Sequence, residues 1–341
     1  MNDQPSSGDA ASRPASPSGV GPAGPKTTMP IPPAADDPAA RSEVPVVPII
    51  SSTSAAASPA PAGDEPLDEW RDSVMTPDGW RALGVSLRGL DHADANTHRD
   101  DAAALAVVGS WLIVAVADGV GSAKMSRFGA REAANAAVAK ITEDMRVLPQ
   151  PADENQLSAV MYVGMMAALK AMQTYAESRQ RRLSDFSTTL LLAIHGHDAQ
   201  GTQLVVTAQV GDGAIAAFAP GASADGQPTE LAFVQLGTPD EGYSGGEIIP
   251  FNSLNPALWK NRIRVRSLPP ETVGVMLLTD GVSDAFKPWY RHLWRLMTFL
   301  GEHVTPVASA DEALAQLGAT ISFERPGMGD DRTLVLIHRP A

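Results

Sequence analysis

The sequence predicts an α+β fold from Leu67 onward, because its strand-like and helix-like segments fall in separate runs. An apolar run that turns once on itself is followed by two long amphipathic helical patterns in succession. A series of short strand-like runs then follows, divided by Gly, Asp and Pro clusters. The third observation is compositional. Residues 1–66 are rich in Pro, Ala, Ser and Gly and hold no aromatic residue, so they cannot bury enough apolar surface to offset the entropy of ordering. This segment is expected to be a disordered arm, and 67–341 a single folded domain.

In chain order, LRGL (87–90) and ALAVVGSWLIVAVA (104–117) read as strands, the second a hairpin turning at Gly109 and Ser110. Helices are expected over 123–146, closing before Pro149, and over 154–181, each with apolar residues at three and four spacing. Ser122 is a plausible N-cap for the first. STTLLLAIHG (187–196), TQLVVTAQVGDGAIAAF (202–218) and ELAFVQL (230–236) resemble an antiparallel meander. An irregular stretch, 237–262, leads to the strand VGVMLLTDG (273–281), helices near 289–301 and 311–321, and a closing strand RTLVLIH (332–338).

Composition excludes several classes. A net charge of −13 disfavours nucleic acid, whose binding needs a basic surface. The chain has no cysteine, which rules out disulfides, thiolate zinc sites and a cysteine nucleophile. No apolar run has membrane-spanning length, and the start MNDQPSSGDA lacks the basic and apolar regions of a signal peptide, so no membrane contact and a cytoplasmic location are expected.

One theme recurs: an acid at the end of an apolar strand. It appears at Asp118 (AVADG), Asp212 (AQVGDG) and Asp280 (LLTDG), and before a strand at Asp330 and Asp331 (GDDRTLVLI). Asp-Gly is ordinary hairpin chemistry, and each instance alone fits a turn. Asp118 and Asp280 fit it less well, because helical patterns follow them where a hairpin needs a second strand. Carboxylates at strand ends beside glycines supply the hard oxygen ligands that magnesium or manganese prefers.

Taken in order, DHADANTHRDDAAAL, VAVADGVGSAKMSRFGA, FSTTLLLA, AQVGDGAIAAF, LLTDGVSDAF and GDDRTLVLI resemble the metal-dependent Ser/Thr phosphatases of the protein phosphatase 2C type. The likeness covers about residues 80–339 and leaves out the arm. It lies nearest a bacterial branch, whose first motif Gly89, His92, Asp101 and Ala102 match and whose second motif Asp118 to Ala123 match. The resemblance implies a four-layer α-β-β-α sandwich of two antiparallel sheets flanked by helices, with two divalent cations, Mn2+ or Mg2+, at one end, and a third in some members. It also implies a phosphorylated protein as substrate and a cognate Ser/Thr kinase whose action the enzyme reverses.

By the family's pattern Asp118 bridges the two cations and Gly119 offers its carbonyl. Asp280 and Asp330 hold one side, Asp101 lies beside the site, and Asp212 with Asp284 matches the looser third position. Asp118, Asp280 and Asp330 are thus the catalytic set. The chain departs from the pattern at Asn96, where many members carry a phosphate-gripping arginine, at Asp94, often basic in the branch, and at Asp331, usually Asn. Phosphate is then expected to meet His92, Arg99 or Arg88, while Lys124 and Arg127 read more simply as solvated first-turn charges.

Other features take plainer readings. His195 and His197 (HGH) lack a third ligand nearby in sequence and are expected in a surface turn. The methionines of AVMYVGMMAALKAM and the tryptophans 259, 289 and 294 read as core, and 237–268 matches the family's variable flap. Two functions compete with the phosphatase. One is a catalytically weak member that binds a phosphoprotein, suggested by the missing arginine. The other is a small-molecule phosphohydrolase of another fold, which lacks its Asp-x-Asp motif because Val120 stands two residues after Asp118.

Overall fold

The computed structural model describes residues 69–148, 153–198, 200–222, 228–240, 248–287, 289–323 and 325–340. The expected arm and residues 241–247 of the expected flap lie outside them.

Strands β1 (Glu69–Met75) and β2 (Arg81–Leu87) form a hairpin, and a short helix α1 (Leu90–Asp94) follows. Strands β3 (Ala102–Val108) and β4 (Trp111–Ala117) form the expected hairpin at Gly109 and Ser110. Helices α2 (Ser126–Val147) and α3 (Glu154–Ser178) come next, then β5 (Leu190–His197), β6 (Gln203–Val210), β7 (Ala214–Ala222) and β8 (Pro228–Gln235). The chain ends with β9 (Ile263–Ser267), β10 (Gly274–Leu278), α4 (Asp280–Ser283), α5 (Trp289–His303), α6 (Ala310–Ile321) and β11 (Arg332–His338).

All strand pairs are antiparallel and they build two sheets, ordered β1-β2-β11-β10-β7-β8 and β3-β4-β5-β6-β9. Side-chain alternation sorts each strand between two layers. On β4, Trp111, Ile113 and Ala115 pack toward α2 and α3, while Leu112, Val114 and Val116 pack between the sheets. On β11, Leu334 and Leu336 meet α5 and α6, while Val335 and Ile337 join the inter-sheet core. Both sheets are therefore covered on both faces, which makes the order helix, sheet, sheet, helix and explains why β4, β10 and β11 read as continuous apolar runs.

The helices owe their closeness to small residues. Alanines 130, 133, 134 and 137 face the sheet from α2, and a Cβ at Gly164 of α3 would lie 2.7 Å from Ile141 Cδ1. Asp153 starts α3 with a capping box, accepting from Gln156 N at 2.8 Å while Gln156 Oε1 accepts from Asp153 N at 2.9 Å. The methionines of α3 are mainly core, Met161, Met165 and Met172 being buried, and Trp259 is buried against Phe251.

Several expectations need correction. LRGL is not a strand of its own: β2 ends at Leu87 and Leu90 opens α1. Ser122 does not cap α2, whose N-cap is Met125 with no side-chain bond. The meander is two pieces, β5-β6 in one sheet and β7-β8 in the other, with the chain changing sheets at Gly211–Gly213. His195 and His197 lie on β5 and not in a surface turn, and His195 is fully buried.

Candidate metal centre

Register alone brings the acids to one end of the sandwich. Ala102 pairs with Ala117, so Asp101 and Asp118 are neighbours at the open end of the β3-β4 hairpin. Leu278 pairs with Leu334 and with Ala214, which sets Asp280, Asp330 and Asp212 at the corresponding end of the other sheet. The carboxylates then meet across the gap between the sheets.

Their mutual influence records how close they come. Burial, followed by the charges of Asp101 and Asp280, pushes the Asp118 carboxyl well above its usual range. Burial and then Asp280 raise Asp330 to about 6, and the same two causes raise Asp212 to about 6. Asp101, buried, is pushed well up by burial and by Asp331 and Asp330. Asp280 Oδ1 is buried with no protein hydrogen-bond partner, in the middle of this group. A buried carboxylate oxygen without a donor, ringed by further carboxylates, suits a hard divalent cation.

Hydroxyls fix the acids in place. Thr279 and Thr333 donate to Asp101 Oδ2 at 2.9 and 2.6 Å. Thr189 N and Thr188 Oγ1 donate to the Asp118 carbonyl at 2.8 and 2.7 Å, and Asp118 N donates to Thr189 Oγ1 at 2.9 Å. Thr188 and Thr189 belong to the FSTTLLLA motif, which gives them no role by itself, and Thr279 and Thr333 carry no signal beyond lying near an acid. Gly119 is required sterically, since a Cβ there would lie 2.7 Å from the Asp100 carbonyl and 2.9 Å from Ser126 Cβ.

Asp331 has a different part from Asp330. Its buried carboxylate accepts from Gly89 N at 2.7 Å, Asp100 N at 2.5 Å, Asp101 N at 3.3 Å and His92 Nδ1 at 2.9 Å. It therefore ties the loop 89–101 to the start of β11, and Asp330 is left to face Asp280. The hydrogen bond to Asp331, reinforced by Asp331, Asp100 and Asp330 charges against the cost of burial, raises His92 to about 9. His92, Asp330 and Asp331 bring ligand atoms within 4.8 Å of one another. In that trio His92 and Asp331 are bonded to each other, so they close the rim of the site.

The remaining candidates are distributed around this centre. Arg99 donates to the carbonyls of Asp101 and Ser86 at 3.0 and 3.3 Å, and Arg88 to that of Thr97 at 3.1 Å. Asp284 acts on Asp212 and pairs with Lys287 at 2.6 Å. Lys124 is exposed, whereas Arg127 is half-buried and its charge reaches Asp100. Asn96 adopts φ +51°, a left-handed conformation that asparagine tolerates and arginine does not favour.

Fold and site define the class, an α+β sandwich with a carboxylate centre at one end. The chain belongs to the protein phosphatase 2C family, whose model matches residues 88–319, and it is a protein serine/threonine phosphatase of that metal-dependent group. No curated protein sequence matches it. Among solved structures it is similar to a serine-threonine phosphatase 2C from Toxoplasma gondii (12% identity, 79% of this chain and 98% of that one, TM-score 0.54). It is also similar to a bacterial serine phosphatase (13%, 76% and 97%, 0.47) and to PppA of Pseudomonas aeruginosa (15%, 78% and 99%, 0.46). Among the described residues no helix is long and apolar enough to cross a membrane.

Proposed function

We propose that the protein hydrolyses phosphoserine and phosphothreonine in a protein substrate at a dinuclear Mn2+ or Mg2+ centre, reversing a Ser/Thr kinase in bacterial signalling. The observation that carries this reading is the buried, donor-less Asp280 Oδ1 among the carboxyls of Asp118, Asp101 and Asp330. Asp118, Asp280, Asp330 and the Gly119 carbonyl would hold the cations, with Asp101 beside them and Asp212 and Asp284 at a looser third position. When bound, such cations supply Lewis acidity toward phosphate oxygens and acidify the attacking water.

The chain's own groups do the rest. Thr188 and Thr189 hold the Asp118 backbone, and Thr279 and Thr333 aim Asp101. His92, kept protonated through Asp331, offers positive charge at the rim where phosphate approaches, with Arg127 behind Asp100. Arg99 holds the Asp101 backbone and steadies the same loop.

The test is hydrolysis of p-nitrophenyl phosphate and of a phosphothreonine peptide with manganese or with EDTA, beside Asp118→Ala and Asp280→Ala. Turnover should require the metal and fall more than about a hundredfold in both variants, since even outer partners of metal ligands cost 10–100-fold. The left-handed Asn96 in place of a gripping arginine favours a second reading, a phosphoprotein-binding module. Manganese binding without turnover would favour that alternative.

A further inference from the structure

In a chain whose net charge is −13, residues 248–270 carry four basic side chains, Lys260, Arg262, Arg264 and Arg266, and no acid. On β9 the arginines alternate with Ile263 and Val265, which pack against the core under α2 and α3. Arg264 and Arg266 therefore take the other face, at the rim of the gap between the sheets. Arg266 is exposed and Arg264 half-buried.

This row starts beside the metal centre. Arg262 pairs with Asp240 at 2.6 Å, and Asp240 in turn accepts from Gly211 N at 2.9 Å and donates its own N–H to the Gly211 carbonyl at 2.9 Å, next to Asp212. From there the row leads away along β6, with Arg264 opposite Thr207 and Arg266 opposite Val205. Those positions stand five and seven residues before Asp212, about 17 and 23 Å of extended chain. Asp240 balances Arg262, whereas Arg264 donates to Thr238 Oγ1 at 2.9 Å and Arg266 to the Val265 carbonyl at 3.1 Å, neither of them charged.

The backbone of the same strand is open on one side. Strand β9 ends the five-stranded sheet, so no strand lies beyond it among the described residues. Leu268 N donates to the Gln203 carbonyl at 2.8 Å, and the antiparallel alternation from that bond turns the backbone groups of Arg266 and Arg264 toward β6. Those of Ile263, Val265 and Ser267 then point outward, free to pair with an added strand. Charged side chains on an edge ordinarily ward off other strands. A row of arginines repels a basic strand but attracts an acidic one, because opposite charges on paired strands are favourable and like charges are not.

On the phosphoprotein phosphatase reading above, on which this rests, we infer that an extended acidic segment of the substrate adds to the open edge of β9. Its acids meet Arg264 and Arg266, about five to seven residues from the phosphorylated side chain at the metal centre. Substrates are thus selected by acids at a distance from the phosphorylated residue, and an acidic enzyme still attracts them at this edge.

The experiment compares phosphothreonine peptides that carry Glu, Gln or Lys at alternate positions about five and seven residues to either side of the phosphothreonine. With manganese, the Glu peptide should exceed the Gln peptide at least tenfold in kcat/KM, through KM. The charge-reversed chain Arg264→Glu/Arg266→Glu should lose that preference and favour the Lys peptide, while hydrolysing p-nitrophenyl phosphate at the unaltered rate. Fluorescence anisotropy of the unphosphorylated Glu peptide should show at least tenfold weaker binding to the charge-reversed chain, and weaker binding at high salt. N-methylation at one set of alternate peptide positions should abolish that binding, and at the other set leave it intact. If p-nitrophenyl phosphate is not hydrolysed by either chain, the phosphatase reading fails and the anisotropy alone decides the docking edge. Equal values for the Glu and Gln peptides, binding indifferent to charge reversal or to N-methylation, or an equal loss of p-nitrophenyl phosphate hydrolysis in the charge-reversed chain would each overturn the inference.

Discussion

Asp331 gathers four donors onto one buried carboxylate, and His92 is the one among them that titrates. In the folded chain its pKa of about 9 exceeds the ordinary imidazole value of 6.5. The pairing therefore stabilises the fold in full below that lower value, and the contribution is lost as pH rises through about 9. Urea unfolding of the protein and of His92→Gln should differ most near about pH 6 and converge near about pH 10, by on the order of 1–2 kcal/mol after allowance for solvent screening. A gap that stays constant with pH would assign the effect to packing. At this scale the acids themselves were legible, because an acid ending an apolar strand breaks a visible pattern. The part played by their threonine partners was not, since Thr is unremarkable in strands and Thr189 meets Asp118 only through tertiary folding. The separate work of Asp330 and Asp331 was equally hidden, because only the fold shows which carboxylate turns to the backbone.

Among the elements, the hairpin β3-β4, the helices α2 and α3 and the strands β10 and β11 follow from periodicity and turn residues. Strand β1 was missed because EWRDSVM is polar enough for a half-exposed edge, and β9 because IRVRS is short and charged. The crossing from β6 to β7 looked like a hairpin since VGDGA carries ordinary hairpin residues. The tertiary reason for that glycine is now plain: Gly211 has φ +123° and a Cβ there would lie 2.5 Å from Thr189 Cβ, next to the threonine that holds Asp118. Gly211→Ala should lower the unfolding free energy by about 1–3 kcal/mol and raise the manganese concentration needed for activity. Asp153→Ala, which removes the α3 cap far from the acids, should cost about 1 kcal/mol and leave that concentration unchanged. Urea unfolding beside manganese titration of p-nitrophenyl phosphate hydrolysis separates the two, and equal manganese responses would disconnect Gly211 from the centre.

Across the whole molecule, the four layers were legible mainly through the ordered motifs, because apolar strands buried on both faces do not show which sheet they join. Those layers converge five acids, Asp101, Asp118, Asp212, Asp280 and Asp330, on one end of the sandwich, so the fold carries a concentrated repulsion that divalent cations relieve. Asp212 and Asp330, raised to about 6 from an ordinary 3.8, favour the metal-free fold at low pH, and that contribution is lost as pH rises through about 6. Chelation should therefore lower the melting temperature by several degrees near about pH 7.5 and by much less near about pH 5. In the chelated state Asp280→Asn should melt higher than the unaltered chain near about pH 7.5, since it removes a charge that Asp118, Asp212 and Asp330 oppose, while losing the stabilisation by manganese. Thermal unfolding at the two pH values, with EDTA and with manganese, reads both effects. A chelated Asp280→Asn chain that melts lower would mean that hydrogen bonding at this end of the sandwich outweighs its charge repulsion.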